Sequence, residues 1–176
     1  MKSTDFRTRI DLAPEVRDRV TASLNQQLAD TFDLYSQTKQ AHWNVKGAQF
    51  YPLHQLFDEL AKELAEHADS LAERVTALGA TAMGTARMSA AASRLSEWPG
   101  EATADLHCVE MLAERFAAVA ATTRKAIDLA AAEGDAVTAD LFTEVARGLD
   151  KRLWFLEAHL QADPVATLRR RDLMLA

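Results

Sequence analysis

The 176-residue chain contains few of the residues that interrupt helices, with only six glycines and four prolines. Because glycine and proline are the least favourable residues inside a helix, their scarcity beside abundant alanine favours long helices. No run of about 18 apolar residues is present, which excludes a membrane-spanning helix. The single cysteine, Cys108, excludes a disulfide within the chain and indicates a reducing compartment.

Positive charge is also scarce. Twenty lysines and arginines stand against 26 aspartates and glutamates, which gives a net charge of -6. This balance excludes nucleic-acid binding over the whole surface and restricts it to local basic segments, whereas it suits a protein that attracts metal cations. The first residues mix Arg7 and Arg9 with acidic residues and lack the apolar stretch of a secretory signal. We therefore expect a protein of the cytoplasm or nucleoid.

The hydrophobic pattern predicts four long helices and no strands. Pro14 is a favourable first-turn residue, and Gly79 and Gly134 are typical of helix ends. The predicted helices cover roughly residues 14–47, 52–78, 101–132 and 136–161. Four helices of this length, with short loops within each pair, indicate an all-α four-helix bundle.

The chain reads as a single domain, 1–176, with a long connector in the middle. Residues 80–100 are long enough to cross the bundle, and a short helix is expected around Met88–Leu95. A short N-terminal arm covers about residues 1–12. A basic tail of about residues 165–176 contains Arg169, Arg170 and Arg171.

The second predicted helix has two distinct faces when its residues are placed at about 100° intervals around the axis. One face is apolar and is expected to pack in the chain's own core: Leu53, Leu56, Phe57, Leu60, Leu64, Leu71, Val75 and Leu78. A second stripe points away from that core and carries His54, Asp58, Asp69 and Glu73. Small residues on or beside the stripe, Ala61, Ala65 and Ala72, would let another helix approach.

The stripe is symmetric along the helix. His54 and Asp58 are neighbours on its surface, as are Asp69 and Glu73, but Asp58 and Asp69 are separated by about 16 Å. One helix therefore cannot bring all four groups to a single metal. Both pairs share one midpoint, beside Glu63 and Leu64, so a two-fold axis there would create two identical sites per dimer. Imidazole suits iron, zinc and copper, and carboxylates add affinity for hard ions such as iron and manganese.

Simpler interpretations of these residues stay open. An acidic helix stripe is more often a solvated face, and an isolated His42 is more often a buried, hydrogen-bonded histidine. Trp43 and Tyr35 are more often core residues than contacts of a metal centre. The chain has no Glu-x-x-His motif, which argues against a di-iron site inside the bundle.

The segment Lys39-Gln-Ala-His42-Trp43-Asn-Val-Lys-Gly47 closely resembles the signature of the Dps family of ferritin-like proteins. The resemblance continues through His54, Asp58 and Asp69-Ser-Leu-Ala-Glu73-Arg. It extends through Gly84-Thr-Ala-Arg87 of the connector to Asp150-Lys-Arg-Leu-Trp-Phe155. It therefore covers nearly the whole chain.

The resemblance implies a ferritin-like bundle that assembles, through two-fold dimers, into a hollow dodecamer. It also implies ferroxidase centres at the dimer interface, with His42, His54 and Asp58 from one subunit and Asp69 and Glu73 from its partner. Trp43 matches the tryptophan beside that centre. Asp135, Asp140 and Glu144 resemble residues of an iron-entry pore, although an aspartate near a helix start is commonly a cap.

The function implied is oxidation of Fe(II) to Fe(III), with hydrogen peroxide as oxidant, and storage of a ferric oxyhydroxide core. The outcome would be protection of the cell and its DNA from oxidative damage. Family members that bind DNA carry a lysine-rich N-terminal arm, whereas this arm mixes Lys2, Arg7 and Arg9 with acidic residues. We therefore expect weak DNA binding at most. The alternative function is that of a DNA-compacting protein in which metal binding is secondary. A third class of function is that of a purely structural helical oligomer.

Overall fold

Five helices account for most of residues 6–161, the part of the chain that this computed structural model describes. The helices are α1 (Pro14–Asn44), α2 (Phe50–Ala77), α3 (Ala86–Ala92), α4 (Asp105–Ala132) and α5 (Ala136–Leu160). Helix α1 packs along α2, α4 packs along α5, and the short α3 lies against α1. The predicted all-α bundle, with a short helix in its middle crossover, is confirmed.

The core lies between the four long helices, and each of them contributes fully buried side chains. Leu24, Phe57, Phe116 and Leu149 represent α1, α2, α4 and α5 in this core. Burying one such side chain stabilises the fold by about 1.5–3 kcal/mol relative to leaving it in water. The predicted apolar face of α2 is buried as expected, except that Leu56 is only partly buried.

The helix ends next to the α1–α2 turn differ from the prediction. Helix α1 ends at Asn44 rather than near Gly47, and α4 begins at Asp105 rather than near residue 101. The cause is a backbone pairing: the Lys46 N–H donates to the Thr103 carbonyl at 2.8 Å, and the Asp105 N–H donates to the Lys46 carbonyl at 2.9 Å. This pairing holds both segments extended, which neither helix pattern could reveal.

The short crossover helix also lies earlier than expected. The Thr85 side chain accepts a hydrogen bond from the Met88 N–H, so Thr85 caps a helix that begins at Ala86. That helix ends at Ala92 because Ser93 is extended, with ψ of 143°. The predicted range 88–95 was therefore too late by about one turn.

Helix α1 holds the crossover in place through buried polar side chains. Asp30, only 1% exposed, accepts hydrogen bonds from the Arg94 backbone N–H and its Nε, both at 2.9 Å. About one turn before Asp30, Gln26 donates to the Ala92 carbonyl, and about two turns after it, Gln37 donates to the Ser96 carbonyl. The crossover is thus fixed along one face of α1.

The C-terminal half of α2 is attached to the start of α5. Arg74 donates to both carboxylate oxygens of Asp135, at 2.9 and 3.1 Å, and to the Thr138 hydroxyl at 2.9 Å. Asp135 is 2% exposed and accepts from the Thr138 N–H, so it also caps α5. The ion pair therefore connects two elements that carry predicted site residues.

No helix within residues 6–161 is long and apolar enough to cross a membrane. The predicted basic tail, 165–176, and the first five residues of the predicted N-terminal arm lie outside the described residues. The boundaries proposed for both stay predictions.

Candidate metal centre

The α1–α2 turn brings two histidines together. His42 lies in the last turn of α1 and His54 lies near the start of α2, with the loop of residues 45–49 between the helices. Their rings stack with centroids 3.9 Å apart and an angle of 18° between planes. Both side chains are half-buried. Two imidazoles that are 12 residues apart in sequence thus form one adjacent pair.

Each histidine is held by the backbone of the other. His42 Nδ1 lies 2.7 Å from the His54 carbonyl oxygen, and His54 Nδ1 lies 2.8 Å from the His42 carbonyl oxygen. A carbonyl oxygen only accepts hydrogen bonds, so both Nδ1 atoms must carry the proton. In the neutral ring, Nε2 then has a free lone pair, which is the arrangement found when a second hydrogen bond orients a metal-binding histidine.

Asp58 lies one turn beyond His54 and contacts two lysines. Its Oδ1 is 2.9 Å from the Lys39 Nζ of α1, and its Oδ2 is 2.9 Å from the Lys62 Nζ of α2. Hydrogen bonds from Lys62 and then Lys39 hold the pKa of Asp58 well below its usual range. The carboxylate therefore stays ionised at any physiological pH, and a metal ion that binds it competes with two ammonium groups.

Trp43 lies on the surface, where 67% of it is exposed. The interpretation of Trp43 as a core residue is therefore wrong, because Trp43 lies on the outer face of the last turn of α1, whose inner face carries the buried Ala41. The Lys39 Nζ lies 5.8 Å from the centroid of the tryptophan ring, within range of a cation–π contact. Tyr35, by contrast, packs against the core.

The two remaining predicted ligands lie far along α2. Asp69 and Glu73 are both exposed, and no hydrogen bond or ion pair to either carboxylate is present among residues 6–161. No group of three histidine, cysteine, aspartate or glutamate side chains in this range is close enough to hold a metal ion. The chain thus pairs His42 with His54 and places Asp58 one helical turn beyond His54, whereas Asp69 and Glu73 lie apart from all three.

The small residues near the stripe do not all face outward. Ala65 is exposed and Ala72 is partly buried, but Ala61 is only 1% exposed because it faces the chain's own core. The inclusion of Ala61 in a contact surface for another helix is therefore wrong. Ala65, at the centre of the stripe, is the alanine that a neighbouring helix could approach.

The three residues that resemble those of an iron-entry pore differ in their surroundings. Asp140 and Glu144 are exposed on α5, and Glu144 lines an open cleft of about 640 Å³ between α2 and α5. Asp135 instead is buried against Arg74. Burial alone would raise the pKa of Asp135, but hydrogen bonds from Thr138 and the charge of Arg74 outweigh it and lower the pKa. Asp135 has the geometry of a helix cap, and its part in a pore stays a prediction.

Two groups around this centre were not predicted as part of it. Lys62 is four residues beyond Asp58 on the same helix face, so helical spacing alone was sufficient to find it. Asp105, the first residue of α4, accepts a hydrogen bond from the Gln49 N–H of the α1–α2 loop at 3.1 Å. It lies 56 residues from Gln49, and no local pattern indicates the contact.

Comparisons with known proteins agree on one family. The ferritin-like domain model matches residues 21–164. The chain is 43% identical over 155 residues to the DNA protection during starvation protein of Agrobacterium fabrum, covering 88% of this chain and 96% of that protein.

Solved structures give the same result. The chain superposes on DpsC from Streptomyces coelicolor with a TM-score of 0.87 at 32% identity, covering 92% of this chain and 94% of that one. It superposes on the Dps protein from Vibrio cholerae O1, described as a ferritin-like diiron-carboxylate protein, with a TM-score of 0.83 at 27% identity. That match covers 92% of this chain and all of the other.

Proposed function

This chain belongs to the Dps family of ferritin-like proteins, and on that premise we propose that it oxidises ferrous iron and stores the ferric product inside a closed oligomer. The observation that carries the proposal is the pair of reciprocal hydrogen bonds between His42 and His54. They orient two imidazoles before any metal binds and leave both Nε2 lone pairs free, and the ionised carboxylate of Asp58 follows His54 by one helical turn.

The proposed centre is completed by a second subunit. His42, His54 and Asp58 supply one side, and Asp69 and Glu73 of the neighbouring copy supply the other. The exposure of both carboxylates supports this arrangement, as does the shared midpoint of the two residue pairs along α2. A two-fold interface pairs the same surface patch on both subunits, so it creates two equivalent centres per dimer. Trp43 lies beside this centre.

The reaction proposed is the oxidation of two ferrous ions by one hydrogen peroxide. Each Fe(II) gives one electron, the O–O bond breaks, and the oxygens leave as hydroxide, which solvent protonates. The residues bind and orient the iron: the imidazoles and carboxylates are ligands that suit iron, and the negative charge favours the ferric product. Hydrolysis of Fe(III) would then deposit the ferric oxyhydroxide core.

Assembly and protection of DNA are part of the same proposal. The Agrobacterium relative is named for DNA protection during starvation. Removal of iron and peroxide would protect DNA without contact between the protein and DNA. We propose a dodecamer built from two-fold dimers, with exposed Asp140 and Glu144 near an iron-entry pore. The net charge of -6 supports weak DNA binding only.

A complementation experiment tests the shared centre. One variant carries His54→Ala with Asp58→Ala, and the other carries Asp69→Ala with Glu73→Ala. Each alone should lose fast iron oxidation, because each of its centres lacks one side. When the two variants are assembled together, one of the two centres in each mixed dimer combines both intact sides. About half of the centres in fully mixed dimers should therefore be active.

Both variants must first be shown to assemble, because the substitutions also change the contact surface. Iron oxidation is followed by the absorbance of the ferric product after peroxide is added to anaerobic Fe(II)-loaded protein. A mixture of fully assembled, well-mixed dimers that recovers no activity would contradict the shared centre.

A further inference from the structure

The loop between the two histidine-bearing helices depends on one distant side chain. Gly47 has φ of +134°, a conformation that other residues rarely adopt. A Cβ added at Gly47 would lie 2.4 Å from Oδ2 of Asp105, closer than any real contact. The loop backbone and the Asp105 carboxylate are therefore packed directly against each other.

Asp105 also supplies the N-terminal cap that α2 lacks. Gln49, at the cap position, makes no side-chain capping bond. Oδ2 of Asp105 accepts the Gln49 N–H instead, while its Oδ1 accepts the Leu106 N–H of its own helix at 2.9 Å. These bonds, the one from Gln49 foremost, lower the pKa of Asp105 and keep a negative charge at the positive end of α2.

We infer that Asp105 is a positioning residue for the histidine pair: it fixes the 45–49 loop and thereby the register in which α1 and α2 present His42 and His54. This inference rests on the proposed function. Asp105 contacts neither histidine, so its effect must pass through the loop. The backbone pairing of Lys46 with residues 103 and 105 sets the same loop from its other side.

The geometry of the histidine pair makes it sensitive to this loop. The reciprocal hydrogen bonds are 2.7 and 2.8 Å long and run in opposite directions between the helices. A shift of about 1 Å between α1 and α2 along either bond would lengthen that bond beyond hydrogen-bonding distance. The freed ring could then rotate, and its Nε2 would no longer point in a defined direction.

Anaerobic titration of the assembled, full-length protein with Fe(II) tests the inference. Asp105→Ala should bind Fe(II) about tenfold more weakly, at the lower end of the loss seen when outer-shell partners of metal ligands are removed. Asp105→Asn keeps an oxygen that can accept the Gln49 N–H and should recover part of that affinity. Gly47→Ala, which pushes the carboxylate from the other side, should weaken binding as Asp105→Ala does.

The matched control is Val119→Ala, which removes buried volume from α4 far from the loop. Its thermal stability should fall while its Fe(II) affinity stays at the wild-type value. If Asp105→Ala binds Fe(II) as tightly as the wild type, or if Val119→Ala weakens binding to the same extent, the positioning role is overturned.

A crystal structure of metal-free Asp105→Ala separates this inference from the proposed function. Loss of one or both reciprocal histidine hydrogen bonds is the expected result, and their retention would overturn the inference. If the wild-type protein itself binds no Fe(II), the proposed function fails. The same crystal structure then still decides whether Asp105 positions the two histidines.

Discussion

The two ends of α2 carry the same number of predicted ligands but organise them differently. At the N-terminal end, His54 and Asp58 are already in contact with side chains and backbone of α1. At the C-terminal end, Arg74 anchors the helix to α5, but Asp69 and Glu73 extend into solvent. One end is ordered by contacts within its own chain, whereas the other presents exposed carboxylates without side-chain partners among residues 6–161.

The difference follows from how each end is connected. The N-terminal end follows a loop of only five residues, 45–49, which keeps α1 and α2 side by side. The C-terminal end leads into the long crossover, which leaves α2 and runs along α1 instead. A half-site formed within the chain and a half-site that needs a second copy are therefore expected at opposite ends of one helix.

The largest expected effect comes from removing one ligand at each end. His54→Ala and Glu73→Ala should each slow iron oxidation by more than about a hundredfold, beyond the loss seen for outer-shell partners. Their effects on stability should differ. His54→Ala also removes the hydrogen bond to the His42 carbonyl, worth about 1 kcal/mol, whereas Glu73→Ala removes only an exposed carboxylate.

Thermal unfolding of the metal-free proteins measures that difference. The melting temperature of Glu73→Ala should equal or slightly exceed the wild-type value, since an exposed carboxylate one helical turn from Asp69 is gone. If the two variants were equally destabilised, the contrast between an ordered end and an open end would be wrong.

A second prediction concerns the anchor at the C-terminal end. Arg74→Met should lower the free energy of unfolding by about 3 kcal/mol, or the melting temperature by roughly 10 °C, because Asp135 would stay buried without its ion partner. Arg19→Met, which removes the exposed pair with Glu133, is the control and should have little effect. If the two variants melted at the same temperature, the Arg74–Asp135 pair would not be the anchor of α2.

The loss of folding stability in Arg74→Met should depend on pH. Folding lowers the pKa of Asp135 below its ordinary value of 3.8, so this group stabilises the folded protein above that pH. The stabilisation disappears as pH falls through the folded-state pKa. The difference in stability between wild type and Arg74→Met should therefore be largest above about pH 4 and shrink in more acidic solution.

The smallest expected effect concerns the lysines at the ordered end. Lys62→Gln removes one of the two ammonium groups that compete with a metal for Asp58. Because exposed pairs at this spacing are weak, Fe(II) affinity at low salt should rise only about twofold. Calorimetric titration at low and high salt measures the change, with Lys125→Gln on α4 as a control. Weaker binding in Lys62→Gln would indicate that Lys62 assists the centre rather than competing with it.

Helical spacing in the sequence predicted the features that are set within a single helix. It predicted the buried face of α2 and the outward position of Asp58, Asp69 and Glu73, because a regular helix fixes the direction of each side chain. It failed where distant segments meet. The start of α4 depends on pairing with Lys46, and the cap of α2 comes from Asp105. Ala61 lies at the border of two faces, where a small rotation of the helix decides burial.

The polar contacts between α1 and the crossover also bear on the order of events during synthesis. Asp30 and Arg94 are 64 residues apart, and Gln26 and Ala92 are 66 apart. All residues of α1 and α2 leave the ribosome before either partner in the crossover does. Asp30 must stay hydrated until Arg94 arrives, since an unpaired buried carboxylate is costly. The nascent hairpin therefore keeps one side of α1 open, and the histidine pair takes its final register only when Asp105, which is synthesised later still, reaches the 45–49 loop.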